Sequence, residues 1–101
     1  METLTLPRLV GSREAVRDLL AEQSISEDLS DDGLVVLCRD LASGSSSFAD
    51  ELVFEVLQRR RAPELVIVGA PIRFGQRVEE SASRRGVEHQ VSIKMGAALR
   101  S

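Results

Sequence analysis

Four serines are concentrated in the stretch SGSSSFADE, residues 43–51. A serine hydroxyl in such a stretch can accept a phosphoryl group, cap a helix or hydrogen-bond within a loop. Ser47 and Asp50 have the spacing of a capping box directly before an apolar run, which predicts a helix N-cap at Ser47. A phosphate on Ser46, or on a neighbouring serine, would lie near the free N–H groups at the start of that helix.

Asp50 and Glu51 are the carboxylates nearest to these serines. Neighbouring residues point about 100° apart around a helix, which is poor geometry for an acid–base pair. We therefore expect the two carboxylates to cap the helix and to stabilise its positive end, and not to be catalytic. Their charge is expected to repel a phosphate on an adjacent serine.

Cys38 and His89 are the only cysteine and the only histidine of the chain. One cysteine excludes an intrachain disulfide, and one cysteine with one histidine supplies too few ligands for a zinc site. Cys38 is predicted to be a small buried side chain, and His89 to lie on the solvent side of a strand. The chain also lacks a dinucleotide-binding glycine loop and a Walker lysine. We therefore expect no catalytic residue set, no metal, no cofactor and no enzyme activity.

Charge and hydropathy restrict the partners. The net charge of −3 removes the general electrostatic case for nucleic-acid binding. The longest apolar run, 65–72, is too short to span a bilayer. The first residues lack the pattern of a secretory signal, so we expect a cytoplasmic protein without membrane contact. Arginines form either solvated helix ends or a surface for an anionic partner, at Arg59 to Arg61, Arg73, Arg77, Arg84 and Arg85.

The first half of the chain predicts two strands and a helix. Residues 2–6 alternate polar and apolar side chains, which is typical of a short strand at a sheet edge. Apolar residues then recur at helical spacing over 13–23, after a good N-cap at Ser12. The run GLVVLCRD, residues 33–40, predicts a strand covered on both faces.

The second half continues the alternation. FADELVFEVLQRRR predicts a helix that Pro63 ends, ELVIVGAP a buried strand, IRFGQRVEESASRRG a third helix with a C-cap at Gly86, and VEHQVSI a last strand. Strands separated by single helices require crossover connections. We predict one α/β domain over residues 1–101, with a mostly parallel sheet of about four strands, helices packed largely on one side and a loose tail at 94–101.

One segment, LVVLCRDLASGSSSFADELVFEVL, resembles the central part of STAS domains, the anti-sigma-factor antagonist fold. It is most similar to a subgroup of small bacterial STAS-like proteins in which an apolar strand leads to a Ser-Ser-Phe-Ala-Asp-Glu-Leu type helix start. LVGSREAVRDLLAE is similar to the N-terminal helix of that subgroup. Well-understood antagonists have Asp-Ser-Ser-Gly at the junction, where this chain has Ser45 at the Asp position and Phe48 at the Gly position.

The resemblance implies a regulatory protein-interaction module in bacterial signalling. STAS antagonists bind a GHKL-type switch kinase that is also an anti-sigma factor, and phosphorylation of a serine at the strand-to-helix junction releases them. Carried over to this chain, the phosphorylated position matches Ser46 best, with Ser47 and Ser45 one residue away. The partner would contact the same junction, at Ser43, Gly44, Phe48, Ala49, Asp50 and Glu51.

Two other functional classes remain open at this point. The same fold could serve as a structural or assembly subunit without a phosphorylation switch, in which case serine substitutions would leave its complex intact. The junction could also be an anion pocket of a small-molecule-binding domain, in which case a phosphate compound would stabilise the protein.

Overall fold

The computed structural model describes residues 1–94. Strands and helices alternate along the chain as the sequence predicts, which confirms the α/β fold class. The elements in chain order are β1 (Glu2–Thr5), β2 (Leu9–Val10), α1 (Arg13–Glu22), β3 (Leu34–Leu37), β4 (Ser43–Gly44), α2 (Ser46–Val53) with a π-helical continuation (Phe54–Arg59), β5 (Leu65–Val68), α3 (Ile72–Arg84), a 3-10 turn (Glu88–Gln90) and β6 (Val91–Lys94).

The main sheet has four strands in the order β1-β3-β5-β6, and every neighbouring pair is parallel. Leu34 of β3 lies in register with Glu2 of β1 and with Leu65 of β5. Because the strand order follows the chain order and such crossovers are right-handed, the three helices lie on the same side of the sheet. Helix α2 packs between α1 and α3, and β1 is an edge strand as predicted.

The helices bury one face of the sheet. Leu34 and Val36 of β3 are fully buried, as are Leu65 and Ile67 of β5. The side chains that alternate with them on β3, Val35 and Leu37, point to the other face and are only half-buried. The prediction that β3 is covered on both faces is therefore wrong for the described part of the chain, because every crossover returns on the same side.

A second, two-stranded sheet pairs β2 with β4, a pairing that the sequence did not indicate. Leu9 is in register with Ser43, and Val10 with Gly44. A β-carbon on Gly44 would lie 2.5 Å from Cδ1 of Phe74, so only glycine fits at this position. This close packing fixes the chain directly before α2.

The helix that α2 begins widens into a π-helix that ends at Arg59. Glu55 lies in this segment with 1% of its surface exposed, and its Oε1 is 3.6 Å from Nε of Arg60. The same arginine donates hydrogen bonds to the carbonyls of Ile25 (3.2 Å) and Ser26 (2.9 Å). Through these hydrogen bonds, the end of this helix holds the acidic loop between α1 and β3 in place.

The predicted helix ends are confirmed at two places. Ser12 caps α1 by accepting a hydrogen bond from Ala15 N at 3.2 Å, and Gly86 follows α3 with a left-handed φ of 74°. The last strand is shorter than predicted, because 88–90 form a 3-10 turn and β6 starts only at Val91. Lys94 is the last residue of β6, and the rest of the predicted loose tail lies outside the described residues.

Candidate functional site

Helix α2 begins two residues earlier than the capping-box pattern predicts. Oγ of Ser45 accepts a hydrogen bond from Phe48 N at 3.0 Å, and the Ser45 backbone is extended. Because β4 ends at Gly44, the chain turns into the helix at the next residue. The prediction of an N-cap at Ser47 is wrong, and Ser47 instead lies in the first turn of α2.

The two serines after the cap lie at the surface. Ser46 and Ser47 are both exposed, and they line an open groove with a volume of about 410 Å³. The other lining side chains come from all three helices or their ends: Arg13, Asp50, Arg84 and Arg85. We call these six residues the arginine groove.

Asp50 is the centre of the arginine groove. Arg85 binds it through two nitrogens, Nε to Oδ1 at 3.0 Å and Nη2 to Oδ2 at 2.8 Å. Ser81 donates to Oδ1 at 2.6 Å, and Arg13 Nη1 to Oδ2 at 2.8 Å. The side chain of Asp50 is only 13% exposed. The carboxylate therefore connects α2 to both neighbouring helices, and its predicted role as a capping residue is wrong.

Glu51 makes a similar connection to α1 alone. Its Oε2 accepts from Arg17 Nη1 at 2.9 Å, and its Oε1 accepts from Arg13 Nη1 at 3.3 Å. Arg13 thus uses one nitrogen for both Asp50 and Glu51. Its Nε and Nη2 make no hydrogen bond within residues 1–94, so donors remain for a further acceptor.

The groove carries excess positive charge. The pKa of Asp50 is held below its ordinary range, chiefly because Arg85 donates hydrogen bonds to it; Ser81 and Arg13 act in the same direction, and partial burial opposes them. Hydrogen bonds to Asp50 also raise the pKa of Arg13 and of Arg85. The lining therefore holds three arginine charges against one carboxylate charge at neutral pH.

The junction residues predicted to contact a partner divide into three groups. Phe48 and Ala49 are fully buried, and Gly44 is buried against Phe74, so these residues belong to the core of the folded chain. Asp50 and Glu51 are engaged in ion pairs. Ser43 is exposed on β4. The surface that the junction offers consists of serine side chains and of arginines from elsewhere in the chain.

Cys38 and His89 lie far apart. Cys38 follows the carboxyl end of β3 and is fully buried, as predicted, and burial raises the pKa of its thiol to about 12. His89 is exposed in the turn before the amino end of β6, not in a strand. The two residues are therefore at opposite ends of a parallel sheet and form no nucleophile–base pair.

The arginine-rich second half of the chain supplies three separate surfaces. Arg84 and Arg85 join the arginine groove, and Arg85 also stacks over the ring of Phe54 at 5.2 Å. Arg73 and Arg77 line another cleft beside Ser43. Arg59 to Arg61 lie beside the acidic residues Glu27 and Asp28.

Arg13 and Ser81 are members of the network that the sequence did not single out. Arg13 occupies the first position of α1, where its charge gives no advantage to the helix. Ser81 is a fully buried polar residue in the C-terminal half of α3. The unfavourable position of Arg13 is a signal in the sequence of an interaction with another element. Ser81 carries no such signal, and only its burial in the structure shows that its hydroxyl requires a hydrogen-bond partner.

The arrangement is suited to holding an anion. The arginine groove offers guanidinium donors and two free hydroxyls, and it contains no histidine, cysteine or lysine. Within residues 1–94, no three His, Cys, Asp or Glu side chains are grouped so that they could hold a metal ion. No helix in the same range is long and apolar enough to cross a membrane.

No protein-family model, curated protein or solved structure matches the chain. The resemblance to STAS-like proteins stays a prediction that rests on the residues quoted for it.

Proposed function

We propose that the protein is a regulatory interaction module whose contact with a partner is controlled by phosphorylation of Ser46 or Ser47. The observation that carries this proposal is the position of both serines, exposed and in one groove with Arg13, Arg84 and Arg85. Phosphoserine is recognised by arginine clusters through charge-assisted hydrogen bonds. Ser45 is the least suited of the three candidates, because its hydroxyl caps α2.

The network around Asp50 supports the same proposal. From the sequence, Asp50 and Glu51 were expected to repel a phosphate on a neighbouring serine. Both carboxylates are instead paired with arginines, and the groove has excess positive charge. A phosphate at this site would therefore meet net attraction.

The resemblance to antagonists of anti-sigma factors names the partner class, a GHKL-type kinase. In the phosphorylation step, Oγ of the serine attacks the γ-phosphorus of ATP held by the kinase. The new O–P bond replaces the bond to the β-phosphate oxygen, ADP leaves, and the serine proton passes to a base of the kinase. Because the unmodified groove is cationic, we expect an acidic contact surface on the partner.

The proposal is tested by co-expression with a GHKL-type kinase, followed by mass spectrometry of the purified protein. We expect phosphoserine at Ser46 or Ser47, and we expect Asp at the modified position to weaken binding to the kinase about tenfold or more. Ser24→Asp is the matched control, because Ser24 is an exposed serine outside both the arginine groove and the 43–51 junction. Absence of phosphoserine together with unchanged affinity of the Ser46→Asp and Ser47→Asp variants would refute the proposal.

A small-molecule anion-binding domain is the second candidate, and the arginine groove itself favours it. In that case inorganic phosphate would raise the melting temperature of the unmodified protein, and Arg84→Gln would remove the effect. Arg84 suits this test because it is exposed and its Nη2 comes no closer than 3.9 Å to Oδ1 of Asp50. Its loss therefore leaves the shorter ion pairs of Asp50 intact.

A further inference from the structure

We infer that a phosphate on Ser47 is bound within the same molecule by Arg13, so that modification links α1 to α2 and removes the positive charge of the arginine groove. This inference rests on the proposed function for the existence of the phosphate. It adds which serine is coupled to which arginine, and it names a consequence for the unbound protein.

Ser47 is placed better than Ser46 for this contact. It precedes Asp50 by three residues and Glu51 by four, so it lies one helical turn away on the face that these two carboxylates share. Arg13 bridges the same two carboxylates. Ser46 has only Asp50 of this pair within three or four positions; the residue three positions after it is the buried Ala49.

Arg13 also has the donors that the contact requires. Both of its ion pairs use Nη1, whereas Nε and Nη2 have no hydrogen bond within the described residues. Its side chain is 49% exposed and can reorient without disturbing the core. Arginine binds phosphate oxygens with two nitrogens at once, which the free Nε and Nη2 allow.

The contact changes what the groove offers to a partner. A phosphoserine carries about −1.5 to −2 charges at neutral pH. The groove lining has an excess of two positive charges, from three arginines and one aspartate. A phosphate on Ser47 therefore brings the groove close to neutrality, and an acidic group of the partner loses its attraction for this surface.

The test uses the isolated full chain carrying phosphoserine only at position 47, introduced during translation. The second pKa of the phosphate, measured by ³¹P NMR, is expected to lie about 0.5 to 1 unit below its value in the same protein unfolded in urea. Arg13→Gln is expected to remove this shift. Arg17→Gln is the matched control and should retain it, because Arg17 contacts Glu51 through one nitrogen and does not line the groove.

Two results would overturn the inference: a second pKa equal in the folded and unfolded chains, or a shift that Arg13→Gln leaves unchanged. If Arg13→Gln does not fold, the side-chain Nε–H signal of Arg13 in the wild-type phosphoprotein decides. It should move with the phosphate titration, and a stationary signal contradicts the contact. Binding to the kinase is measured separately, so loss of the Arg13 contact with regulated binding retained would refute this inference and not the proposed function.

Discussion

Asp50 illustrates how a single side chain can have a role that its local motif does not indicate. Its position after Ser47 is typical of a capping box, yet its oxygens accept hydrogen bonds from Arg13, Ser81 and Arg85. Because Arg85 binds this carboxylate through two nitrogens and its side chain is little exposed, the interaction between the two side chains is a strong one. Its main role in the fold is to hold α1 and α3 against α2.

Asp50→Asn is expected to lower the free energy of unfolding by about 2–4 kcal/mol, because the amide keeps the shape but leaves Arg85 without its counter-charge and Arg13 with Glu51 alone. Urea denaturation followed by circular dichroism measures the change. Asp40→Asn is the control, since Asp40 is exposed, and should stay within about 0.5 kcal/mol of the wild type. A loss for Asp50→Asn as small as that of Asp40→Asn would contradict the role assigned to the network.

The sequence could not give the partners of Asp50. Arg13 is 37 positions before it and Arg85 is 35 positions after it. Nothing in local periodicity couples residues at such distances, and only the parallel order of the helices brings them together. The serine-rich junction, by contrast, was recognised as a candidate site because its residues are adjacent in the chain.

At the scale of elements, the start of α2 gives different roles to Ser45 and Ser47, although the two serines have similar neighbours in the sequence. Ser45→Ala removes the hydroxyl that accepts from Phe48 N, and should destabilise the protein by about 1 kcal/mol. Ser47→Ala should be nearly neutral, because Ser47 lies inside the helix and alanine has the higher helix propensity. Thermal denaturation of the two variants distinguishes them. A larger loss for Ser47→Ala would support the capping box and contradict the observed start of α2.

The elements were predictable where one periodicity dominates. The helix α1 has a clear apolar pattern and ends one residue before its predicted end, whereas the strand predicted over 33–40 is observed only over Leu34–Leu37. The π-helical continuation of α2 was not predicted, because its apolar residues follow the same helical pattern as those of α2 itself. The pairing of β2 with β4 was also missed, since two residues in each strand are too few for a pattern.

At the scale of the whole molecule, the arginine groove exists only when the three helices are packed side by side. Its arginines come from the start of α1 and from the end of α3, and its serines from the start of α2. The one-sided helical layer is therefore a condition for the site as well as for the core. Conditions that weaken the ion pairs between these helices should weaken both.

Acid is the condition that tests this most directly, because arginine stays charged at low pH and only carboxylates titrate. The pKa of Asp50 is depressed in the folded protein from an ordinary value of 3.8. The unfolded chain therefore takes up the proton at higher pH than the folded one does. The stability that Asp50 contributes is complete above the unfolded pKa and is lost progressively as the pH falls towards the folded pKa.

We therefore expect the difference in unfolding free energy between wild type and Asp50→Asn to be largest near pH 7 and to shrink once the pH falls below about 5. Urea denaturation at a series of pH values measures both curves, and the Asp40→Asn curve should remain parallel to that of the wild type. A difference between wild type and Asp50→Asn that stays constant down to about pH 2 would mean that the ionised carboxylate is not what stabilises the helical layer. The groove would then owe its shape to apolar packing alone, and neutralising its charges would leave the three helices in place.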